Sequence, residues 1–273
     1  MQGAWAPRLP GALRLAPAWR AHLHAAADCP PRRPRVALAW RGERIGSVEP
    51  DLFERAGLAG GSLVRWLDAQ AAWEVAGELT PSLAQLAFVL RERGLAHTWR
   101  DEQLAVRSEA GALLGTVERA VVRPLGIATQ AVHLVAVDPR GGHWVQQRAF
   151  DKPTDPGLWD TLMGGLVPAR DAIEDALARE TWEEAGLRLE QLQELQYGGR
   201  TLTRRPFREQ AHGYVVEVID WYRCTLPEGV EPANQDGEVA GFRCMAPEEV
   251  EVLLQQEAFT IDASLVLEAA FGG

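Results

Sequence analysis

Gly164-Gly165-Leu166-Val167-Pro168-Ala169-Arg170-Asp171, then after seven residues Arg179-Glu180-Thr181-Trp182-Glu183-Glu184-Ala185-Gly186-Leu187, is the stretch whose reading decides the fold. Asp171 suits a helix N-cap, and Glu174 three residues on gives it the form of a capping box. A helix from about Ala172 to Ala185 follows, with Gly186 as its stop. At about 100° per residue, Ile173, Leu177, Glu180 and Glu184 share one narrow face, with Glu183 beside them. The face starts apolar, so it points into the protein and then turns into carboxylates. A solvated acidic face would lie opposite the apolar stripe. Carboxylates crowded at the edge of a core repel one another unless a cation joins them. Hard divalent ions such as Mg²⁺ take oxygen ligands of this kind. An exposed acidic helix end held by Arg179 is the competing reading, and it fits this face geometry less well.

Working outward, the chain has 273 residues, enough for two domains of ordinary size. A formal net charge of −10 argues against a nucleic-acid backbone binder, which carries a basic footprint. A phosphate-bearing substrate therefore needs metal ions or local arginines for its positive counterpart. Cys29, Cys224 and Cys244 are odd in number and lack metal-ligand spacing, as in a reducing compartment. No apolar run approaches the roughly 18 residues of a membrane span. The first 27 residues hold three arginines and no acid, a faint likeness to a transit peptide. Pro17 followed by Trp19, Leu23 and Ala26 reads better as a folded helix, so the expectation is a cytoplasmic protein. Of the 28 basic residues only Lys152 is a lysine, and it stands just before the glutamate box.

Residues 1–125 read as a small α+β unit. After the first helix, the Pro30-Pro31 and Pro34 turns lead to a short strand pair around Arg41-Gly42. Helices are expected at about Pro50–Ala56 and Ser62–Ala76, and a third opens at Pro81. Strands follow at Leu104–Val106 and Leu113–Val117. Trp99-Arg100-Asp101-Glu102 is a polar-aromatic turn, and nothing here assembles a catalytic set. Residues 126–273 change rhythm. Ala131–Val137 is a buried strand, paired through Asp138–Gly142 with Trp144–Arg148. Further strands lie at Tyr197–Thr203, Gly213–Cys224 and Gly241–Met245, with helices from Pro247 and from about Asp262 to Ala270. Strands on both sides of two or more helices imply an α/β/α sandwich with a mixed sheet. Arg204, Arg205 and Arg208 read as a solvated basic loop.

Gly165, Asp171, Arg179-Glu180, Glu183-Glu184, Gly186 and Leu187, at their spacing, resemble the signature of the Nudix hydrolases. Asp171 stands where that family usually has Glu, and Thr181 fills an apolar slot. The resemblance implies the Nudix-type sandwich in 126–273, with the N-terminal α+β domain as an accessory. It implies Mg²⁺ (or Mn²⁺) on Glu180 and Glu184, with the Gly165 carbonyl as a further ligand. Glu183 is implied as a ligand or base, and Arg179, with it in the catalytic set, as the arginine through which the residue at Asp171 braces the loop. Glu238, in Asp236-Gly237-Glu238-Val239, is a candidate ligand or base from the opposite wall, weighed evenly against a turn residue. Arg148 and Lys152 flank the expected mouth. Trp159-Asp160, Trp99–Glu102, Glu118-Arg119-Ala120, Leu125-Gly126 and Phe259-Thr260 are similar to one Nudix subgroup with an extra N-terminal domain, related to the Nudix part of thiamine pyrophosphokinase fusion proteins. Arg148, Lys152 and Trp159 are accordingly the expected substrate contacts.

The activity so implied is metal-dependent hydrolysis of a diphosphate linkage in a small organic diphosphate, such as thiamine diphosphate or a damaged derivative, to the monophosphate. Nucleoside-diphosphate sugars and ADP-ribose are the alternative substrates, and a non-catalytic ligand-binding module is the alternative of another class. Isopentenyl-diphosphate isomerisation needs a cysteine just ahead of the box, where this chain has none between Cys29 and Cys224. A small-molecule partner, no nucleic acid, no membrane and a homodimer complete the expectation.

Overall fold

The computed structural model describes residues 11–272. The first ten residues, with Arg8 of the transit-like composition, lie outside the described residues. Helix α1 (Pro17–Ala27) is followed by strands β1 (Val36–Trp40) and β2 (Glu43–Val48), joined by Arg41 and Gly42. Both turn residues have positive φ, at 50° and 83°, the backbone of a two-residue hairpin turn. Helix α2 (Leu52–Arg55), strands β3 (Val64–Leu67) and β4 (Ala72–Val75), helix α3 (Leu79–Glu92) and the β5 (Gln103–Arg107)–β6 (Leu113–Glu118) pair complete this half. One sheet runs in the order β2-β1-β4-β3, and α3 closes its core with buried Leu83, Leu86 and Leu90.

The helix expected over Ser62–Ala76 is instead the β3–β4 hairpin. Cross-strand pairing decides the matter. Trp66 stands opposite Trp73 with ring centroids 5.4 Å apart, and Arg65 Nε donates to Glu74 Oε2 at 2.6 Å. Pairs of this kind stabilise a sheet, and a helical count of leucines does not register them.

The second half is an α/β/α sandwich. Its strands are β7 (Thr129–Val137), β8 (His143–Arg148), β9 (Trp159–Asp160), β10 (Met163–Leu166), β11 (Gln193–Pro206), β12 (Tyr214–Thr225) and β13 (Val239–Met245). The sheet order is β11-β12-β7-β8-β13, with β10 also on β7 and β9 also on β8. Only β12–β7 is parallel, so the sheet is mixed. The alternation along β7 shows both layers. Val132, Leu134 and Ala136 pack toward helix α4 (Ile173–Ala185) with Leu177 and Ala185. Ala131, Val135 and Val137 pack toward helices α5 (Pro247–Gln255) and α6 (Ile261–Phe271) with Val250, Leu254 and Val266. A strand covered on both faces reads as the continuous apolar run seen in the sequence. Helix α1, though early in the chain, packs on α6 through Leu23, Ala27 and Leu265.

Two local expectations are corrected. Asp171 is not the cap of α4: the N-cap is Ala172, and Asp175 rather than Glu174 reaches back to its N–H at 3.3 Å. Asp171 instead receives Arg179, so the carboxylate is committed to the guanidinium. Arg204 and Arg205 lie in β11, not in a solvated loop. Arg204 pairs with Asp28, and Arg205 is buried against Asp262 at 3.3 Å. Gly186 does end α4, at φ 64°, and a Cβ there would sit 2.6 Å from the Ala233 carbonyl.

Thr181 is fully buried and its hydroxyl finds no hydrogen-bond partner among the described residues. An unpaired buried hydroxyl costs roughly 1–3 kcal/mol. Thr181→Val, of equal size, is expected to raise unfolding stability by about 1 kcal/mol. Urea unfolding checks this, and a lower midpoint for the variant contradicts it.

Candidate active site

The glutamate box builds one side of a cleft of about 310 Å³ lined by residues of both halves of the chain. Glu180, Glu183 and Glu184 come from the last turns of α4, while Gly164 and Gly165 come from β10, opposite His133 and Val132 of β7. The helix runs directly beneath the strand. A Cβ on Gly165 would sit 2.3 Å from the Glu180 carboxyl carbon, so only glycine lets that carboxylate lie against the backbone.

Glu184 is the deepest of the three. Its Oε2 accepts from Gln146 Nε2 at 2.8 Å and from the Gly164 N–H at 3.1 Å, and Lys152 Nζ stands 3.8 Å from Oε1. Burial nevertheless dominates these donors and pushes its pKa up to about 8. Glu180 is likewise pushed up to about 7 by burial, which outweighs the Arg179 guanidinium. Arg179 Nη1 donates to Glu180 Oε1 and Glu183 Oε2, both at 2.9 Å, and its other edge holds Asp171. Glu183 is the most exposed of the set.

The opposite wall brings Glu238. Segment 233–238 is tied to the end of α4 by Ala233 N to Ala185 O at 2.8 Å and Gln235 N to Glu183 O at 3.1 Å. An Asn234-centred turn then presents Glu238, whose Oε2 lies 2.6 Å from Lys152 Nζ. Burial raises the Glu238 carboxyl, but the Lys152 ammonium pulls it further, to below its ordinary value. The chain's single lysine thus stands between Glu184 and Glu238.

The other expected substrate contacts divide. Arg148 lines the cleft, but its donors go to Asp160 at 3.3 Å and to the Thr154 and Asp155 carbonyls, bracing the loop that carries Lys152. Trp159 is not part of the lining. Strand alternation turns Asp160 toward the cleft and Trp159 away, where its ring lies 5.7 Å from the Arg243 guanidinium. The expectation for Trp159 is corrected on that ground.

The structure adds residues that the sequence did not single out. At the inner end, Arg123 Nη2 donates to Glu217 Oε2 at 2.6 Å, and Thr129 Oγ1 donates to the same oxygen at 2.5 Å. Arg205 with Asp262, and His133 with Thr161 at 3.0 Å, complete that end. They come from the turn before β7, from β7, β11 and β12, from the residue after β9 and from α6, so no local pattern announces them. From the first half, Arg100, Glu102 and Arg119 form a facing wall. Their only sequence signal was the subgroup-like Trp99–Glu102 and Glu118–Ala120 segments.

The donor set suits a hard divalent cation. Glu180 and Glu184 present carboxylate oxygens at a partly dry site, and burial raises the pKa of both despite Arg179 and Lys152. Among the described residues no group of three or more His, Cys, Asp or Glu side chains is gathered closely enough to hold an ion, and Arg179 and Lys152 lie among the carboxylates. No described helix is long and apolar enough to cross a membrane.

Raised carboxylate pKa values make the metal-free fold pH-dependent. Glu184 and Glu180 favour the folded state most when protonated, so stability is full below about 4.5 and is lost as pH rises toward 7 and 8. In EDTA, thermal scans are expected to show Tm falling by several degrees over that window. Glu184→Gln flattens the upper part, and saturating Mg²⁺ flattens the wild-type curve. A flat wild-type profile in EDTA contradicts the assignment.

A family model for the NUDIX domain matches residues 128–267. The chain is 27% identical over 201 residues to Nudix hydrolase 20, chloroplastic, of Arabidopsis thaliana, covering 69% of this chain and 51% of that one. It is 30% identical over 168 residues to an isopentenyl-diphosphate Delta-isomerase of Streptomyces coelicolor, covering 61% and 82% respectively. The chain spans about half the length of the plant relatives it matches. The crystal structure of DR0079 from Deinococcus radiodurans shares the fold, with a TM-score of 0.51 at 18% identity over 62% of this chain and 99% of that one. With a domain match over half its length, the chain belongs to the NUDIX domain family.

Proposed function

We propose that this protein hydrolyses a diphosphate linkage in a small organic diphosphate, with Mg²⁺ or Mn²⁺, and that thiamine diphosphate or a damaged derivative is the substrate, released as the monophosphate. The observation that carries the reading is the buried Glu184 carboxylate, raised in pKa and set beside Glu180 on one helix face in a cleft. In this reading Glu180, Glu184 and the Gly165 carbonyl hold the metal. Bound there, a divalent cation neutralises charge on the phosphoryl group and lowers the pKa of an attacking water.

The chain's own residues do the rest. Glu183, the most exposed glutamate of the box, takes the water proton as general base, or Glu238 does so from the opposite wall. Arg179 fixes Glu183 and Glu180 in place by charge-assisted hydrogen bonds. Lys152 moves from Glu238 to the substrate phosphates. Arg148 acts by holding the Lys152 loop. Residues 126–273 form the hydrolase unit and 1–125 its accessory, with α1 reaching over to the hydrolase unit.

The similarity to an isomerase raises a second reading, isopentenyl-diphosphate isomerisation. That chemistry needs a cysteine acid at the site, and none of Cys29, Cys224 and Cys244 lines the cleft.

A panel of thiamine diphosphate, its oxidised relatives, ADP-ribose and nucleotide sugars, run with Mg²⁺ and Mn²⁺, tests the reading. Wild type is expected to release thiamine monophosphate. Glu184→Gln should lose more than the roughly 10- to 100-fold that loss of an outer-shell metal partner costs. Tight binding without cleavage of any compound would instead favour a ligand-binding module.

A further inference from the structure

The accessory half contributes more than packing to the cleft. Its turn at Trp99–Glu102 abuts the box loop: Ala169 N donates to the Gln103 carbonyl at 2.8 Å, and Leu104 bridges to Pro168. Residues 100–103 are thereby held beside the segment that follows Gly165.

The turn itself is firmly built. Buried Glu118 accepts from the Arg100 N–H at 3.1 Å through Oε1, and the Arg119 N–H donates to the Glu102 carbonyl at 2.9 Å. Asp101 adopts the left-handed region at φ 54°, and its Oδ1 accepts from Trp99 Nε1 at 2.6 Å. Aspartate tolerates that backbone better than most side chains. Arg91 stacks over the Trp99 ring at 4.7 Å. The backbone of Arg100 is thus fixed from both sides.

The Arg100 side chain is not. It lines the cleft, and among the described residues its guanidinium has neither an ion-pair partner nor a hydrogen-bond acceptor. The neighbouring cations are all engaged: Arg119 with Glu102 at 2.7 Å, Arg123 with Glu217, Arg179 with the box, and Lys152 with Glu238. In a chain of net charge −10, an uncommitted guanidinium on a firmly held backbone, facing a carboxylate-lined cleft, is a ready anion contact. Its planar fork of donors matches phosphate oxygens in pairs.

We propose that Arg100 is a substrate-binding residue whose guanidinium takes oxygens of the substrate's diphosphate, which makes the accessory half one wall of the active site. This rests on the reading that the cleft accepts a diphosphate. It also explains why the box loop and the Trp99–Glu102 turn are joined by backbone hydrogen bonds: the spacing between Arg100 and the box glutamates is then set by the fold.

Isothermal titration of methylenediphosphonate, a diphosphate that cannot be hydrolysed at its bridge, into the Mg²⁺-loaded full chain tests the proposal. Arg100→Gln is expected to weaken binding about 10- to 100-fold, the worth of a hydrogen bond to a charged group. Arg100→Lys restores part of the loss, and Arg140→Gln, on an exposed hairpin turn, changes nothing. Thermal midpoints of all variants should match wild type, since Arg100 is exposed. Wild-type affinity in Arg100→Gln overturns the proposal, as does wild type failing to bind the probe. Turnover bears separately on the hydrolase reading: a protein that binds the probe through Arg100 but cleaves nothing in the panel refutes hydrolysis and leaves the Arg100 contact standing.

Discussion

A carboxylate taken out of water without a full countercharge is the constraint on which the rest of this structure depends. Glu184 lies beneath β10, and its oxygens are served by one amide, one backbone N–H and a lysine at 3.8 Å. Those contacts fall short of repaying its burial, which leaves the group at a pKa near 8. Around it the local architecture follows. Gly165 has no side chain because Glu180 lies where a Cβ would be, and Gly186 ends α4 so that segment 233–238 can return across its end and deliver Glu238. Arg179 distributes one guanidinium over three carboxylates. The arrangement stores electrostatic cost at one point, in a cleft, where perturbed carboxylates mark functional sites.

Much of this was legible from the helical period alone. Placing Ile173, Leu177, Glu180 and Glu184 on one face foretold an inward-facing carboxylate end, because a 3.6-residue period leaves little freedom in which residues are neighbours. The apolar run of β7 and the glycine stop at Gly186 were equally readable. The failures have a common cause. Asp160 rather than Trp159 lines the cleft because strand parity, set by how β9 pairs with β8, decides which of two adjacent residues faces it. Ser62–Ala76 reads as a helix because the Trp66–Trp73 and Arg65–Glu74 pairs exist only once two strands meet. Asp171 reads as both a cap and a partner of Arg179, and the structure keeps only the second, because the guanidinium eight residues on claims the carboxylate.

The inner end of the cleft was invisible for the same reason. Arg123, Glu217, Arg205 and Asp262 are brought together by the sheet and α6, and their separations, of 12 residues and more, carry no periodic signal. The first half of the chain, read from sequence as having no catalytic set, supplies a wall of the cleft. Its contribution arises from a docking contact between a turn and a loop, a level of organisation above any motif.

If the buried box carboxylates hold a divalent cation, as proposed, the metal-free protein binds one there. Titration of Mn²⁺ into the metal-free protein, followed by loss of the free-ion paramagnetic resonance signal, tests it without any assumption about substrate. Saturable binding is expected in wild type and its loss in Glu184→Gln, with Thr181→Val binding as wild type does. Equal Mn²⁺ binding by wild type and Glu184→Gln, or none by wild type, would contradict it.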